Sequence, residues 1–225
     1  MMQPLDRPIW PALSTLQRAH SIGTDRARRY LPDIGPLSAA ADDGPDSLAD
    51  LGAVLSATGG LGMLQVGAVP LPPGAQVKHS APAVQMVAET TGRLVEPGDL
   101  LPLGAADAAE MLALAELTKP GPFGSRTYEL GSFYGIRIDG RLAAMAGERM
   151  RFVGHTEASG VCTHPDFRGR GFAARLLSRV VRDIVARGDR AFLHAYATNA
   201  TAIRLYEQLG FSIRAEMTAV WLIPA

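Results

Sequence analysis

The sequence predicts an α/β fold built on a mixed sheet, with a smaller α/β region ahead of it. Three observations lead there. Residues 156–163, 172–185 and 191–197 read as strand, amphipathic helix and buried strand, a spacing that suits a parallel right-handed crossover. Residues 132–138 and 141–150 flank Asp139-Gly140, a strong hairpin signal, so an antiparallel pair precedes the crossover. Beyond Gly210, residues 211–215 and 217–222 read as closing strands. Parallel and antiparallel neighbours in one sheet make it mixed.

A chain of 225 residues, 47% of them hydrophobic, can bury a substantial core. Its 22 basic and 22 acidic side chains cancel, which argues against nucleic acid as the main partner. Arginine dominates the basic set, with Lys78 and Lys119 the only lysines. Cys162 is the single cysteine, so no internal disulfide is possible and a reducing compartment fits. No apolar run approaches the roughly 20 residues that cross a bilayer. Residues 1–30 lack the basic-then-apolar pattern of a secretory leader. A cytoplasmic protein with no membrane partner is the expectation.

Residues 1–97 are rich in Pro and Gly and read as the smaller α/β region. Trp10, Leu13 and Leu16 share helical spacing, predicting a short helix over 10–20. Pro32 and Pro36 break up the next stretch, and 39–45 reads as a loop. Ser47 stands ahead of Leu48, Leu51, Val54 and Leu55, the pattern of a capped helix that Gly59-Gly60 ends. Residues 61–69 and 76–88 read as strands joined across a Pro/Gly turn. Asp42, Asp43 and Asp46 have nothing nearby to complete a ligand set, so no metal is expected. Residues 92–99 read as a boundary, giving a second region over 98–225. There 100–103 reads as a short strand and 105–117 as a helix. Lys119-Pro120-Gly121-Pro122 stops that helix with a rigid loop that suits either a plain connection or one wall of a substrate pocket.

The chemistry gathers where residues 156–163 hand over to the long helix. Phe172, Leu176, Leu177, Val180, Val181 and Ile184 form its apolar face, and Gly188 is the expected stop. Arg168-Gly169-Arg170-Gly171 lies at its start. The first N–H groups of a helix lack internal partners, and its dipole favours an anion there. Glycines let the backbone approach a phosphate closely. Gly169, Gly171 and Ala174 also fit a dinucleotide fingerprint. That fingerprint needs a carboxylate at the end of the next strand, where Ala197-Thr198-Asn199 stands. It also needs its glycines directly after the strand, whereas Pro165-Asp166-Phe167-Arg168 intervene.

The segment from Val161 onward resembles the GNAT superfamily of acetyl-CoA-dependent N-acetyltransferases. Arg168-Gly169-Arg170-Gly171-Phe172-Ala173 matches the family's phosphate loop in full. Asn199 and the run from Ala202 to Phe211 look like its second signature, and the likeness covers roughly 99–225. The resemblance implies a central sheet that is splayed and flanked by helices, with acetyl-CoA as acyl donor and no metal. The backbone of Arg168, Gly169, Arg170, Gly171, Phe172 and Ala173 would hold the coenzyme A pyrophosphate. Val161, Cys162 and Thr163 would pair with the pantetheine arm as a strand pairs with a strand. Asn199, Ala202 and Tyr206 would also touch the donor. Tyr206 would face the sulfur and assist the departing thiolate. Glu157 would act as a general base or position the substrate, the alternative being a strand-edge ion-pair partner.

Strict alternation puts Glu157, Ser159, Val161 and Thr163 on one face and Cys162 on the other. Asn199 is also a good helix N-cap. His164 reads as a loop residue, and His194 and Tyr196 as strand residues of core or pocket. Tyr128, Tyr134 and Arg126 flank the Pro120 loop and are candidates to line an acceptor site. The expected activity is direct acetyl transfer to a primary amine of a small molecule or amino acid. A non-catalytic acyl-CoA-binding module and a protein or peptide N-acetyltransferase are the competing readings. Residues 1–97 could be a degenerate half-copy of the same fold, a wall of the acceptor pocket, or a homodimer surface.

Overall fold

The structure is a computed structural model and describes residues 3–89 and 91–225. The chain opens with helix α1 (Ile9–Ser14) and a small antiparallel sheet of β1 (Ser21–Gly23), β2 (Ala27–Tyr30) and β3 (Ser38–Ala40). Helix α2 (Pro45–Thr58) leads to β4 (Leu61–Gln65) and the long β5 (Ala75–Ala88). Then come β6 (Leu101–Leu103), α3 (Ala108–Thr118), β7 (Phe133–Ile138), β8 (Arg141–Phe152) and β9 (His155–Thr163). The chain closes with α4 (Phe172–Ala186), β10 (Arg190–Tyr196), α5 (Ala200–Gln208) and β11 (Phe211–Pro224). Strands β4 to β11 form one eight-stranded sheet in the order β4-β11-β5-β10-β9-β8-β7-β6. Its β9–β10 pair is parallel and its other pairs are antiparallel, the mixed sheet that the sequence predicts.

Helix α4 follows its sequence pattern closely. Leu176, Leu177, Val180, Val181 and Ile184 are fully buried, and they pack with Ala143, Ala144, Ala146 and Ala158 of the sheet. Small residues on β8 let the helix sit close. Each buried Leu, Val or Ile side chain contributes about 1.5–3 kcal/mol. The β7–β8 turn places Asp139 and Gly140 at φ +49° and +78°, the left-handed pair of a tight hairpin. Helix α3 covers the opposite face through Met111, Leu114 and Ala115 against Phe133, Met145 and Cys162.

The first half departs further from expectation. Strands β4 and β5 belong to the central sheet, and β5 lies between β11 and β10. Strands on both sides of the boundary expected near residue 97 therefore share one sheet. Helix α1 stops at Ser14, where the Ser14 and Thr15 hydroxyls donate back to the carbonyls of Trp10 and Pro11. Helix α2 starts ahead of Ser47, with Gly44 as its cap and Pro45 in the first turn, because proline's fixed φ suits that position. Ser47 is buried inside the helix. The two closing strands expected are one strand, β11, whose bulge at Arg214 absorbs the break in alternation.

Candidate active site

Strands β9 and β10 pair at Arg190 with His155, Ala191 with Thr156 and Phe192 with Glu157, and no further. Residues 158–163 and 193–196 then part company, so the sheet is splayed in its middle. A bulge in β9 accompanies the opening. The β8 register steps from Met145↔Cys162 to Gly147↔Ser159, which leaves one extra residue on β9, and Gly160 there has φ +63°. The bulge breaks strict alternation. Val161 turns toward α4 with Ala158, while Cys162 turns under α3. Cys162 thus shares the face of Glu157, contrary to the alternation expected. Burial pushes its thiol up to about 11, so it is a packed, inert residue.

One cavity of about 580 Å³ lies at this opening, bounded by the glycine loop, α5 and the end of α3. It brings together Val161, Cys162, Thr163, Arg168, Gly169, Arg170, Gly171, Phe172, Ala173, Asn199, Ala202 and Tyr206, all expected from the sequence. Gly169 and Gly171 adopt φ +77° and +73°, which glycine alone takes readily. The backbone N–H groups of residues 169–174 have no acceptor among the described residues. Arg168, Arg170 and Arg204 form no ion pair among the described residues, although Arg170 stacks on the Phe167 ring at 5.4 Å. The cradle is therefore rich in unspent donors, the chemistry that suits a phosphate group. Asn199 caps α5 by accepting from the Ala202 N–H at 3.1 Å. Arg204 and Thr118, to which no sequence signal pointed, also line the cavity, together with Lys119 and Pro120 of the rigid loop.

Tyr206 is buried on α5, and burial pushes its phenol up to about 12. Its hydroxyl forms no hydrogen bond among the described residues, and its ring leans on Phe211. A protonated phenol with an unspent donor therefore faces the junction of the splayed strands.

A second, smaller cavity of about 150 Å³ meets the first at Lys119, Pro120, Val161, Asn199, Ala202 and Tyr206. The Lys119–Pro122 loop roofs it, and Leu37, Met63, Leu64 and Ala83 from the first half of the chain wall it. Its floor is a buried polar network. Arg149 donates from Nε and Nη2 to both oxygens of Glu157, at 2.8 and 2.7 Å. His194 Nδ1 lies 2.7 Å from Glu157 Oε1. The Gln85 amide nitrogen donates to the Leu5 carbonyl and faces His194 Nε2 at 3.0 Å. Nε2 therefore accepts, and Nδ1 carries the proton given to Glu157. Burial raises the Glu157 pKa, but Arg149 and His194 outweigh it and hold the carboxyl down to about 2. Arg149 keeps its charge because Glu157 outweighs its own desolvation.

This network pairs Glu157 with Arg149 and His194, a setting that favours an anchoring carboxylate over a general base. A carboxylate so acidic, with Arg149, His194 and the Met150 N–H all on it, has little affinity for a proton. It anchors Arg149 and His194 instead. Arg126, Tyr128 and Tyr134 line neither cavity. Arg126 pairs with Asp33 and Glu129, and the Tyr134 hydroxyl donates to Asp183 on α4 at 2.6 Å. His164 caps the turn before the glycine loop, its Nδ1 accepting from the Asp166 N–H. His194 is both a satisfied histidine and a cavity residue. Sequence reasoning missed Arg149 and Trp221, because their neighbours in the cavity are distant in the chain, whereas Lys119 lies on the loop that the sequence offers as a pocket wall.

No helix among the described residues is long and apolar enough to cross a membrane. The family model described as FR47-like protein matches residues 133–222. A crystal structure from Novosphingobium aromaticivorans, described as an acetyltransferase from the GNAT family, is similar at 46% identity and a TM-score of 0.91, over 100% of both chains. Mycothiol acetyltransferase of Corynebacterium aurimucosum is 44% identical over 57 residues, 25% of this chain and 18% of that protein. The alanine N-acetyltransferase of ribosomal protein bS18 from Salmonella typhimurium is 35% identical over 78 residues, 34% of this chain and 52% of that protein. The chain thus spans well under two thirds of these two curated relatives. The likeness to the Novosphingobium protein runs from end to end, and with it the phosphate cradle and the splayed sheet find their explanation: the chain belongs to the GNAT family of acetyltransferases.

Proposed function

We propose that the protein transfers an acetyl group from acetyl-CoA to the primary amine of a small molecule or amino acid, in the cytoplasm. The observation that carries the reading is the meeting of two cavities at Tyr206 and Val161. One is lined by unspent phosphate-binding donors, and the other is small and roofed. Acetyl-CoA supplies a thioester carbonyl, and the chain's residues orient it. The free N–H groups of residues 169–174, with Arg168, Arg170 and Arg204, hold its phosphates. The unpaired edge of β9 receives the arm as an added strand. The acceptor nitrogen bonds to the acyl carbon as the carbon–sulfur bond breaks. The nitrogen sheds its proton to water, and Tyr206 donates to the leaving sulfur. A thiol of ordinary pKa about 8.5 is more basic as thiolate than a carboxylate, so hydrogen-bond donation there lowers the barrier.

Thiol release from acetyl-CoA with a panel of amines tests this reading. Turnover with at least one small amine, together with a large loss in Tyr206→Phe, supports it. Tight coenzyme A binding with no release for any amine makes the protein a binding module. A peptide acceptor is the second reading, favoured by an open groove of about 690 Å³ that continues from the small cavity past His79, Phe123, Tyr196 and Trp221. The likeness to the bS18 enzyme points the same way. N-terminal alanyl peptides in the panel decide between the two.

A further inference from the structure

The small cavity has a charge pattern that its shape alone does not require. Arg149 and Lys119 are the charged side chains that line it, and no Asp or Glu does so among the described residues. Arg149 is nine-tenths buried. Glu157 takes its Nε and one hydrogen of Nη2. Its Nη1 has no hydrogen-bond partner among the described residues and faces the Pro120–Pro122 loop, where a Cβ on Gly121 would sit 3.7 Å away. Gly121 has φ +132°, so glycine is favoured there on backbone grounds as well. Lys119 is held at the end of α3 with φ +50°, and its ammonium forms no ion pair among the described residues. The remaining wall is apolar, formed by Leu37, Met63, Leu64, Ala83 and Trp221.

We infer that the acceptor is an amine that also carries a carboxylate, an amino acid with an apolar body, and that the carboxylate docks on Arg149 Nη1 with Lys119 nearby. The inference rests on the transferase reading above and narrows its substrate class. A buried guanidinium held flat by Glu157 is pre-organised to fork onto a carboxylate. The Glu157 charge balances Arg149, which leaves Lys119 to make the cavity net positive. A net positive cavity attracts an anion and opposes an ammonium. The apolar wall takes the rest of the molecule.

The test measures thiol release from acetyl-CoA with the proteinogenic L-amino acids, each beside its carboxamide and its decarboxylated amine. The best amino acid is expected to exceed both counterparts at least tenfold in kcat/KM, chiefly through KM. Arg149→Lys keeps the charge and loses the fork, and is expected to shrink the acid-to-amide ratio at least tenfold. Lys119→Gln lies on an exposed loop and is expected to shrink the ratio severalfold. It serves as the second variant should Arg149→Lys fail to fold. Amides or decarboxylated amines that react as well as the acids overturn the inference and leave the transferase reading standing. A ratio unmoved in folded variants also overturns it. No release from any amine overturns the transferase reading itself, and the inference with it.

Discussion

Glu157→Gln separates an anchoring carboxylate from a catalytic base. Glu157 is 1% exposed and paired with Arg149 and His194, and its pKa falls from 4.5 to about 2. A depression of that size corresponds to about 3 kcal/mol of folding stability. Because the folded-state pKa is the lower one, this stability is fully present above about pH 4.5 and is lost as pH falls toward 2. Removing one partner of a buried pair costs about 3–5 kcal/mol by general experience, a similar figure. Urea unfolding of wild type and Glu157→Gln across pH 7 to 2 reads the difference between the two proteins, so other titrating groups cancel. The variant is expected to lose about 3 kcal/mol at neutral pH, and the two curves to converge as the wild-type carboxyl is protonated near pH 2. A variant as stable as wild type at pH 7 that has lost turnover would refute the anchoring role and restore the base. Curves that stay parallel to pH 2 would refute the assigned pairing.

Tyr206→Phe should lower kcat about 100-fold, within the range of general-acid contributions, with coenzyme A affinity kept in calorimetry. Since the phenol is pushed up to about 12, it stays protonated from pH 7 to 10, and wild-type kcat should show no alkaline loss from it there. Gly169→Ala and Gly171→Ala meet no steric clash, but each forces an alanine into φ above +70° at a cost of about 1–2 kcal/mol. Both should weaken coenzyme A binding at least tenfold, while an unchanged Kd would show that these N–H groups do not hold phosphate. Gln17→Ala removes a buried amide that donates to the Leu130 and Arg149 carbonyls and accepts from Tyr30 and Arg151, and should cost about 2–4 kcal/mol. Denaturation should remain a single transition by both tryptophan fluorescence and circular dichroism. Two resolved transitions would show that residues 1–97 unfold as a unit of their own.

What was legible in the sequence was what local chemistry dictates. The α4 pattern, the Asp139-Gly140 turn and the glycine loop depend on neighbours in the chain, so they appear where their residues predict. The larger cavity was legible for the same reason, because one strand–loop–helix supplies most of it. Two kinds of feature were hidden. Bulges at Gly160 and Arg214 insert one residue and reverse every side chain beyond them, which a period-two reading cannot anticipate. That is why Cys162 joins the face of Glu157. The smaller cavity was hidden because its parts come from β4, β5, β8, β10, β11 and the loop after α3. Buried Arg149 looks in sequence like any other arginine in an arginine-rich chain.

The first half of the chain, which carried the weakest signals, is built into the shell of that hidden site. Gln17 and Tyr30 form a hydrogen-bonded pair, and Gln17 holds the Arg149 backbone from below. Gln85, from β5, fixes the His194 ring, and its carbonyl oxygen accepts from Arg214, whose bulge turns it toward Asp6 and Gln3. Buried polar groups of this kind are costly unless every member is satisfied, so each link constrains the next. The acceptor specificity that we infer at Arg149 is therefore held in place by residues 3 to 85 as much as by the strand that carries it. A substitution at Gln85 should accordingly alter acceptor KM while leaving coenzyme A affinity unchanged, because the phosphate cradle shares no member with the network. Equal loss of both would mean that the two cavities are not energetically separate.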